Sequence, residues 1–392
     1  NDIDKIWDRS KTIEDMKNFF IVGDVHEDLQ ALKNLLISAG FTINEEGRVS
    51  SSCTIGTSFV PTKIILIGDY IDKTNNCREI IDFLTLNNHI LLCVGNHERF
   101  VYNYLKNVST YVETVKNDPK TLEYFTSVKE LEEDEELKQK FFTLFENSSY
   151  FYINNGLYVS HCPIENKNLG KYEFRIMHNN VKYRYSKHAF GLTDETTHEE
   201  YEKVFYEVFD KTLKEAQSNE PFRVFGHIGF TKPLKYKNFI GIDTGAPNKN
   251  LTGVFVALRN NNTKFFTVPC TIPGEKELIN MDKHFEKISY KDVDPYILRR
   301  SKGILNHKIN YISGTVSPPD KIDNKLESIE AALSYYKEKG VDRVCIQPKF
   351  MGSRANIYIY PKELDNSYII SRNGFKVKED YSTLIKETYE RI

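Results

Sequence analysis

Short apolar runs that stop abruptly at small and polar residues organise the first two thirds of the chain. Phe19-Phe20-Ile21-Val22 stops at Gly23-Asp24, and Leu29, Leu32, Leu35 and Leu36 then repeat at helical spacing, which predicts strand, loop and helix. The pattern recurs. Residues 63–67 are β-rich and end in Gly68-Asp69 before a helical stretch over 80–86, and residues 89–94 end in Gly95-Asn96-His97. Ligand sites of α/β folds lie at the carboxyl ends of strands, so the three loops are expected to be neighbours.

Residues 99–147 turn helical and highly charged, with an acidic run over 131–137, and read as a solvated helical insertion. Strand-like runs return at 157–160, 222–225, 239–242 and 254–257; the first three lead into His161, Gly226-His227 and Asp243-Thr244-Gly245-Ala246. A helix over 195–217 carries Tyr201, Val204, Phe205, Val208 and Phe209 on one face, a core pattern. After Pro273-Gly274 the composition changes to a basic stretch with Arg299, Arg300 and Lys302, then Ser317-Pro318-Pro319, an amphipathic helix over 325–339, and strands over 343–346 and 356–360. Two domains are therefore expected, 1–278 and 279–392, without internal repeats or a G-x-x-x-x-G-K-[ST] phosphate loop.

Composition narrows the classes. With 392 residues, 40% apolar and 28% charged, the chain can bury more than one core, and no apolar run is long enough to span a bilayer. Residues 1–20 lack the apolar segment of a signal peptide, which points to the cytoplasm, and the start at Asn1 suggests a piece of a longer protein. The six cysteines stand singly, without a C-x-x-C pair, as reduced thiols rather than a zinc ribbon. A net charge of −2 leaves any polyanion to be held by local clusters or metal ions.

Such a cluster is available. The strand-end loops supply Asp24 and His26, Asp69 and Asp72, Asn96 and His97, then His161 and His227. Imidazole, carboxylate and amide oxygen together suit a first-row divalent ion, and a bridging carboxylate, for which Asp69 is the candidate, allows two ions side by side.

Gly23-Asp24-Val25-His26, Gly68-Asp69-Tyr70-Ile71-Asp72, Gly95-Asn96-His97-Glu98, Ser160-His161 and Gly226-His227 resemble the signature blocks of calcineurin-like metallophosphoesterases. The resemblance implies an α/β (α+β) fold, a β-sandwich flanked by helices with its site at the strand ends. It also implies that Asp24, His26 and Asp69 hold one metal, that Asp69, Asn96, His161 and His227 hold the other, and that the pair activates a bridging water for in-line attack on phosphorus. His97 would protonate the leaving oxygen, oriented by Asp72. Mn²⁺ or Ni²⁺ fits the mixed donor set, and Mg²⁺ fits it less well. Two positions depart from the blocks. Glu27 replaces the glycine of G-D-x-H-G and either sets a negative charge near the anion or rebuilds the turn. Lys73 replaces an arginine and offers a phosphate a point charge without the bidentate fork.

Gln347-Pro348-Lys349-Phe350-Met351-Gly352-Ser353-Arg354, with Ser371-Arg372-Asn373-Gly374-Phe375 beyond it, resembles the first nucleotidyltransferase motif of covalent ATP-dependent ligases and the segment that follows. In that family the lysine, here Lys349, attacks the α-phosphate of ATP, with Arg354 and Arg372 expected near the nucleotide or the RNA end. The combination resembles the bacterial polynucleotide kinase-phosphatase-ligase RNA repair family, with a partial ligase-like α+β unit, since the later ligase motifs do not follow. The resulting expectation is a phosphatase of RNA end healing that acts on 3′-phosphate or 2′,3′-cyclic phosphate ends, partnered by a kinase or remaining ligase module in the same or another chain, without a membrane. The alternatives are a protein serine/threonine phosphatase or dinucleoside-polyphosphate hydrolase, and a non-catalytic metal-containing binding module.

Overall fold

The computed structural model describes all residues except 1–9, 13–15, 56–57, 155, 165–184, 194, 218–220, 273, 286–293, 307–327, 347–351, 353, 363, 373, 375 and 378. The chain divides into two compact units, Asn1–Ser289 and Tyr290–Ile392.

In the first unit, alternation along the strands builds two cores at once. Phe20 and Val22 enter one cluster and Phe19 and Ile21 another; Ile64 and Leu66 alternate with Ile65 and Ile67 in the same way. Side chains two apart share a face, so a strand apolar at every position is covered on both sides. The strand Asn18–Val22 lies parallel to Lys63–Leu66, which lies parallel to Leu91–Leu92, while Asn250–Ala257 and Asn262–Pro269 extend the sheet antiparallel on its other side. The expected strand over 89–94 is thus shorter than its apolar run.

A second sheet runs in the order Ser10–Thr12, Phe151–Asn154, Leu157–Ser160, Phe222–Phe225, Phe239–Gly241 and Leu234–Tyr236. Its inward residues Tyr152, Leu157, Val159, Val224, Ile240 and Ile242 meet Phe19, Ile21, Ile65 and Val254 of the first sheet, forming the middle of the sandwich. Helix Leu29–Ser38, capped by Asp28 accepting from the Ala31 N–H, packs Leu32, Leu35 and Leu36 outside the first sheet. Helix His198–Leu213 packs Phe205 and Phe209 against Phe225, Phe230 and Phe239 outside the second. The expected β-sandwich flanked by helices is the observed fold.

The stretch 99–147 departs from the expected solvated insertion. Helix Ser109–Asn117 buries no residue, but helices Ser127–Glu133 and Glu135–Asn147 bury Val128, Leu131, Leu137, Phe141 and Phe145 in the outer core. Phe100 stacks on Phe125 at 3.8 Å and Tyr102 on Phe145 at 4.0 Å. The acidic side chains of the run hid an apolar face of helical period, worth about 1.5–3 kcal/mol for each fully buried large side chain. The first unit also continues past residue 278, because Ile279 bridges Phe230 and Met281 of helix Met281–His284 is buried beside Phe205 and Phe230.

The second unit has helices Pro295–Asn306, Ile329–Glu338 and Ser382–Glu390 and an antiparallel hairpin of Ala355–Tyr358 with Tyr368–Ser371. Ile369, Tyr381 and Ile385 form its small buried cluster. The strand expected over 343–346 is not formed; among the described residues no neighbouring strand pairs with it, and Val344 and Ile346 are exposed.

Candidate metal centre

Because Asn18–Val22, Lys63–Leu66 and Leu91–Leu92 run parallel, the loops after them leave the same edge of the sheet. Leu157–Ser160, Phe222–Phe225 and Phe239–Gly241 are likewise parallel, with Ser160 opposite Phe225 and Phe225 opposite Gly241. His161, His227 and Asp243 therefore emerge together. The close approach needs glycine: Gly68 has φ +111°, and a Cβ there would stand 2.7 Å from the Gly95 nitrogen and 2.8 Å from His161 Nδ1.

Asp69 is the centre of the constellation. Its Oδ2 lies 3.4 Å from His161 Nε2, 3.9 Å from His97 Nε2 and 4.0 Å from His26 Nε2. Asn96 Oδ1 lies 3.0 Å from His161 Nε2, and the His227 N–H donates to the Asp24 carboxylate at 3.2 Å. The rings of His161 and His227 are 5.1 Å apart. Of the residues read from the sequence, Asp24, His26, Asp69, Asp72, Lys73, Asn96, His97, His161 and His227 are thus brought to one place. Arg354 and Arg372 lie in the second unit, exposed, at the same end of its hairpin, where Ala355 pairs with Ser371. Lys349 lies outside the described residues.

The donor set fits divalent cations. His26 Nδ1 is 3.1 Å from the Ile71 carbonyl and His161 Nδ1 is 3.1 Å from the Ile67 carbonyl. A carbonyl only accepts, so each Nδ1 carries the hydrogen and each ring presents its Nε2 on the side of Asp69. Burial, then Lys73 and His97, hold His26 well below its ordinary pKa. Burial first and Asp243 second push the Asp24 carboxyl up to about 8. Desolvation pulls His161 down, but Asp69 and Asp24 outweigh it and raise it to about 10. Three buried carboxylates, Asp24, Asp69 and Asp243, in one pocket call for positive charge. Groups of potential ligand atoms lying within 4.8 Å of one another are His26, Asp69 and His97; Asp24, Asp69 and His161; and His161, Cys162 and His227.

The loops are held in strained conformations by buried carboxylates. His26, Glu27, Asp69, Asp72, Lys73 and His227 all have φ between 46° and 89°. Glu98 accepts from the N–H groups of Asp69 (2.9 Å), Tyr70 (2.7 Å), Ile71 (3.2 Å) and Gly95 (3.0 Å). Glu27 resolves the first departure: it rebuilds the turn. It accepts from the N–H groups of Asp72 (2.8 Å), Thr74 (2.9 Å) and Asn76 (3.1 Å), and from the hydroxyls of Thr74 and Ser127 (both 2.7 Å). Ser127 N–H in turn donates to Asp72 at 2.8 Å, and Asp72 Oδ2 is 2.7 Å from His97 Nδ1. Desolvation pulls His97 down, yet Asp69 and Asp72 outweigh it and raise its pKa. Lys73 places its Nζ 2.9 Å from His26 Nε2.

The sequence placed Asp243 at a strand end without assigning it to the site, and gave no place in it to Cys162, Ser127 or Lys276. Asp243 had a usable signal, since it follows an apolar strand just as Asp24 and Asp69 do. Ser127 and Lys276 had none, being brought in by tertiary packing. Among the described residues, no helix is long and apolar enough to cross a membrane.

The chain is similar to the asymmetrical bis(5′-nucleosyl)-tetraphosphatase PrpE of Oceanobacillus iheyensis, 24% identical over 230 residues, or 57% of this chain and 82% of that one. Among solved structures it is similar to a cold-active protein tyrosine phosphatase of a psychrophilic Shewanella species, with 15% identity over 67% of this chain and 84% of that one and a TM-score of 0.38. Another is a metallophosphoesterase from Sphaerobacter thermophilus, with 13% identity over 64% and 89% of the two chains and a TM-score of 0.37. The model of the calcineurin-like phosphoesterases matches residues 17–248, more than half of the chain, including every strand-end loop of the site. The chain belongs to the calcineurin-like phosphoesterase family.

Proposed function

We propose that the first unit is a dinuclear phosphatase of RNA end repair, removing 3′-phosphate or 2′,3′-cyclic phosphate. The observation that carries the chemistry is the convergence of His26, His97 and His161 on Asp69, with His97 held by Asp72 at 2.7 Å. Asp24, His26 and Asp69 would hold one ion and Asp69, Asn96, His161 and His227 the other, Mn²⁺ or Ni²⁺ by donor type. When bound, the ions supply Lewis acidity and a nucleophilic water. The chain's own part is positional. Asp72 takes the Nδ1–H of His97, fixing the ring so that the proton on Nε2 is available to the leaving ribose oxygen. Lys73 offers its ammonium to the phosphate from the mouth of the cleft.

The substrate assignment rests on the second unit's resemblance to adenylating RNA ligases. Lys349 is the candidate nucleophile towards ATP, and Arg354 and Arg372, side by side at one hairpin end, support a shared anion-binding role. Hydrolysis of dinucleoside polyphosphates is the second reading, favoured by the tetraphosphatase relative.

The test is to incubate the chain with Mn²⁺ and RNA ending in 3′-phosphate or 2′,3′-cyclic phosphate, a phosphopeptide, or bis(5′-adenosyl) tetraphosphate, alongside His97→Ala and Asp69→Ala. Dephosphorylated RNA ends, lost in both variants, are expected. Turnover of the tetraphosphate with inert RNA would replace the repair reading with the second one.

A further inference from the structure

Lys276 enters the metal centre from outside every motif. It lies on the segment before Ile279, which is fixed to the sheet by Ile279 N–H donating to the Gly229 carbonyl at 2.8 Å and Thr231 N–H donating to the Ile279 carbonyl at 3.0 Å. The neighbouring Glu277 pairs with His198 at 3.3 Å, and the Leu278 carbonyl is 3.2 Å from His198 Nε2. A fixed segment thus delivers a lysine whose side chain is 27% exposed.

Its ammonium is poorly satisfied where it stands. Nζ is 3.8 Å from Asp243 Oδ2 and 3.5 Å from the Ala246 carbonyl, both long for a group with three donors. The Lys73 ammonium also lies at the metal centre, 2.9 Å from His26 Nε2. The carboxylate that Lys276 faces is that of Asp243, which emerges from the same sheet edge as His161 and His227, so its charge is held at the metal centre. Once divalent cations neutralise the three buried carboxylates, two ammonium groups at the same pocket are left to hold a further anion. Among the anions that the pocket would meet, a tetrahedral phosphate has oxygens to face both lysines and the metal side at once.

We propose that Lys276 is a second phosphate-binding cation, gripping the substrate's non-bridging oxygens together with Lys73. The proposal rests on the phosphoesterase reading of the site. Asp243 would then aim the lysine rather than neutralise it.

The test is calorimetric titration of inorganic phosphate into Mn²⁺-loaded wild type, Lys276→Met and Lys276→Arg, with bound metal measured on each sample. Loss of one charge-assisted contact predicts about ten- to a hundred-fold weaker phosphate binding in Lys276→Met at unchanged metal content, and near-wild-type binding in Lys276→Arg. A lysine serving only Asp243 would lower the metal content of Lys276→Met while leaving phosphate affinity of the loaded protein unchanged, and that result overturns the proposal. Wild-type protein that binds Mn²⁺ but no phosphate would remove the phosphoesterase reading itself.

Discussion

Replacing Glu27 by the glycine usual in this motif should destabilise the protein. Two effects oppose each other. Glu27 has φ +65°, so glycine relieves about 1–2 kcal/mol of left-handed strain. Against this, the buried carboxylate accepts the Asp72 N–H at 2.8 Å and the Ser127 hydroxyl at 2.7 Å. Bonds to a charged group contribute about 1.5–3 kcal/mol each. Thr74 and Asn76, nearer the surface, can turn to water and are left out of the estimate. The difference is a net loss of roughly 1–5 kcal/mol, or roughly 2–20 °C in Tm at the size of this unit. Glu27→Gln should fall between, since its amide nitrogen is a donor facing the donors of Thr74 and Asn76. Thermal unfolding by circular dichroism, in chelator so that metal affinity does not enter, measures the shift. Turnover should fall as well, because the released turn contains Asp72 and Lys73. A Glu27→Gly protein as stable as wild type, or more so, would refute the reasoning.

His97→Ala should lower kcat by about 10²–10⁴-fold with metal content unchanged, measured by single turnover beside metal analysis. Phe141→Ala, in the helix whose acidic surface suggested solvation, should cost about 3–5 kcal/mol in denaturant unfolding; a cost under 1 kcal/mol would mean the helix is not part of the core. Burial pushes Glu202 up, but the Asn280 N–H and Lys283 outweigh it, so its folded pKa lies below the ordinary 4.5. The stability it contributes is therefore complete above that value and lost as pH falls through the folded one, and Glu202→Gln should flatten this acid limb in stability measured against pH.

The strand-end blocks were legible because each combines a local apolar run with a glycine and a ligand-type side chain. Asp24, His26, Asp69, Asn96, His97, His161 and His227 all sit in loops that follow such runs. The helices over 127–147 were less legible because their glutamates outnumber the cues at Leu137, Phe141 and Phe145, whose spacing of four is the signal that matters. Glu27 could be seen as a departure, but its role depends on Ser127, one hundred residues away. Val344 and Ile346 favour a strand, but among the described residues no strand pairs with them, and propensity alone does not form one.

The central claim is that Asp69 is shared by two metal ions. Anomalous diffraction from Mn²⁺-soaked crystals tests it directly: the account predicts two peaks flanking the Asp69 carboxylate, one beside His26 and one beside His161. A single peak, or two peaks of which neither touches Asp69, would contradict it.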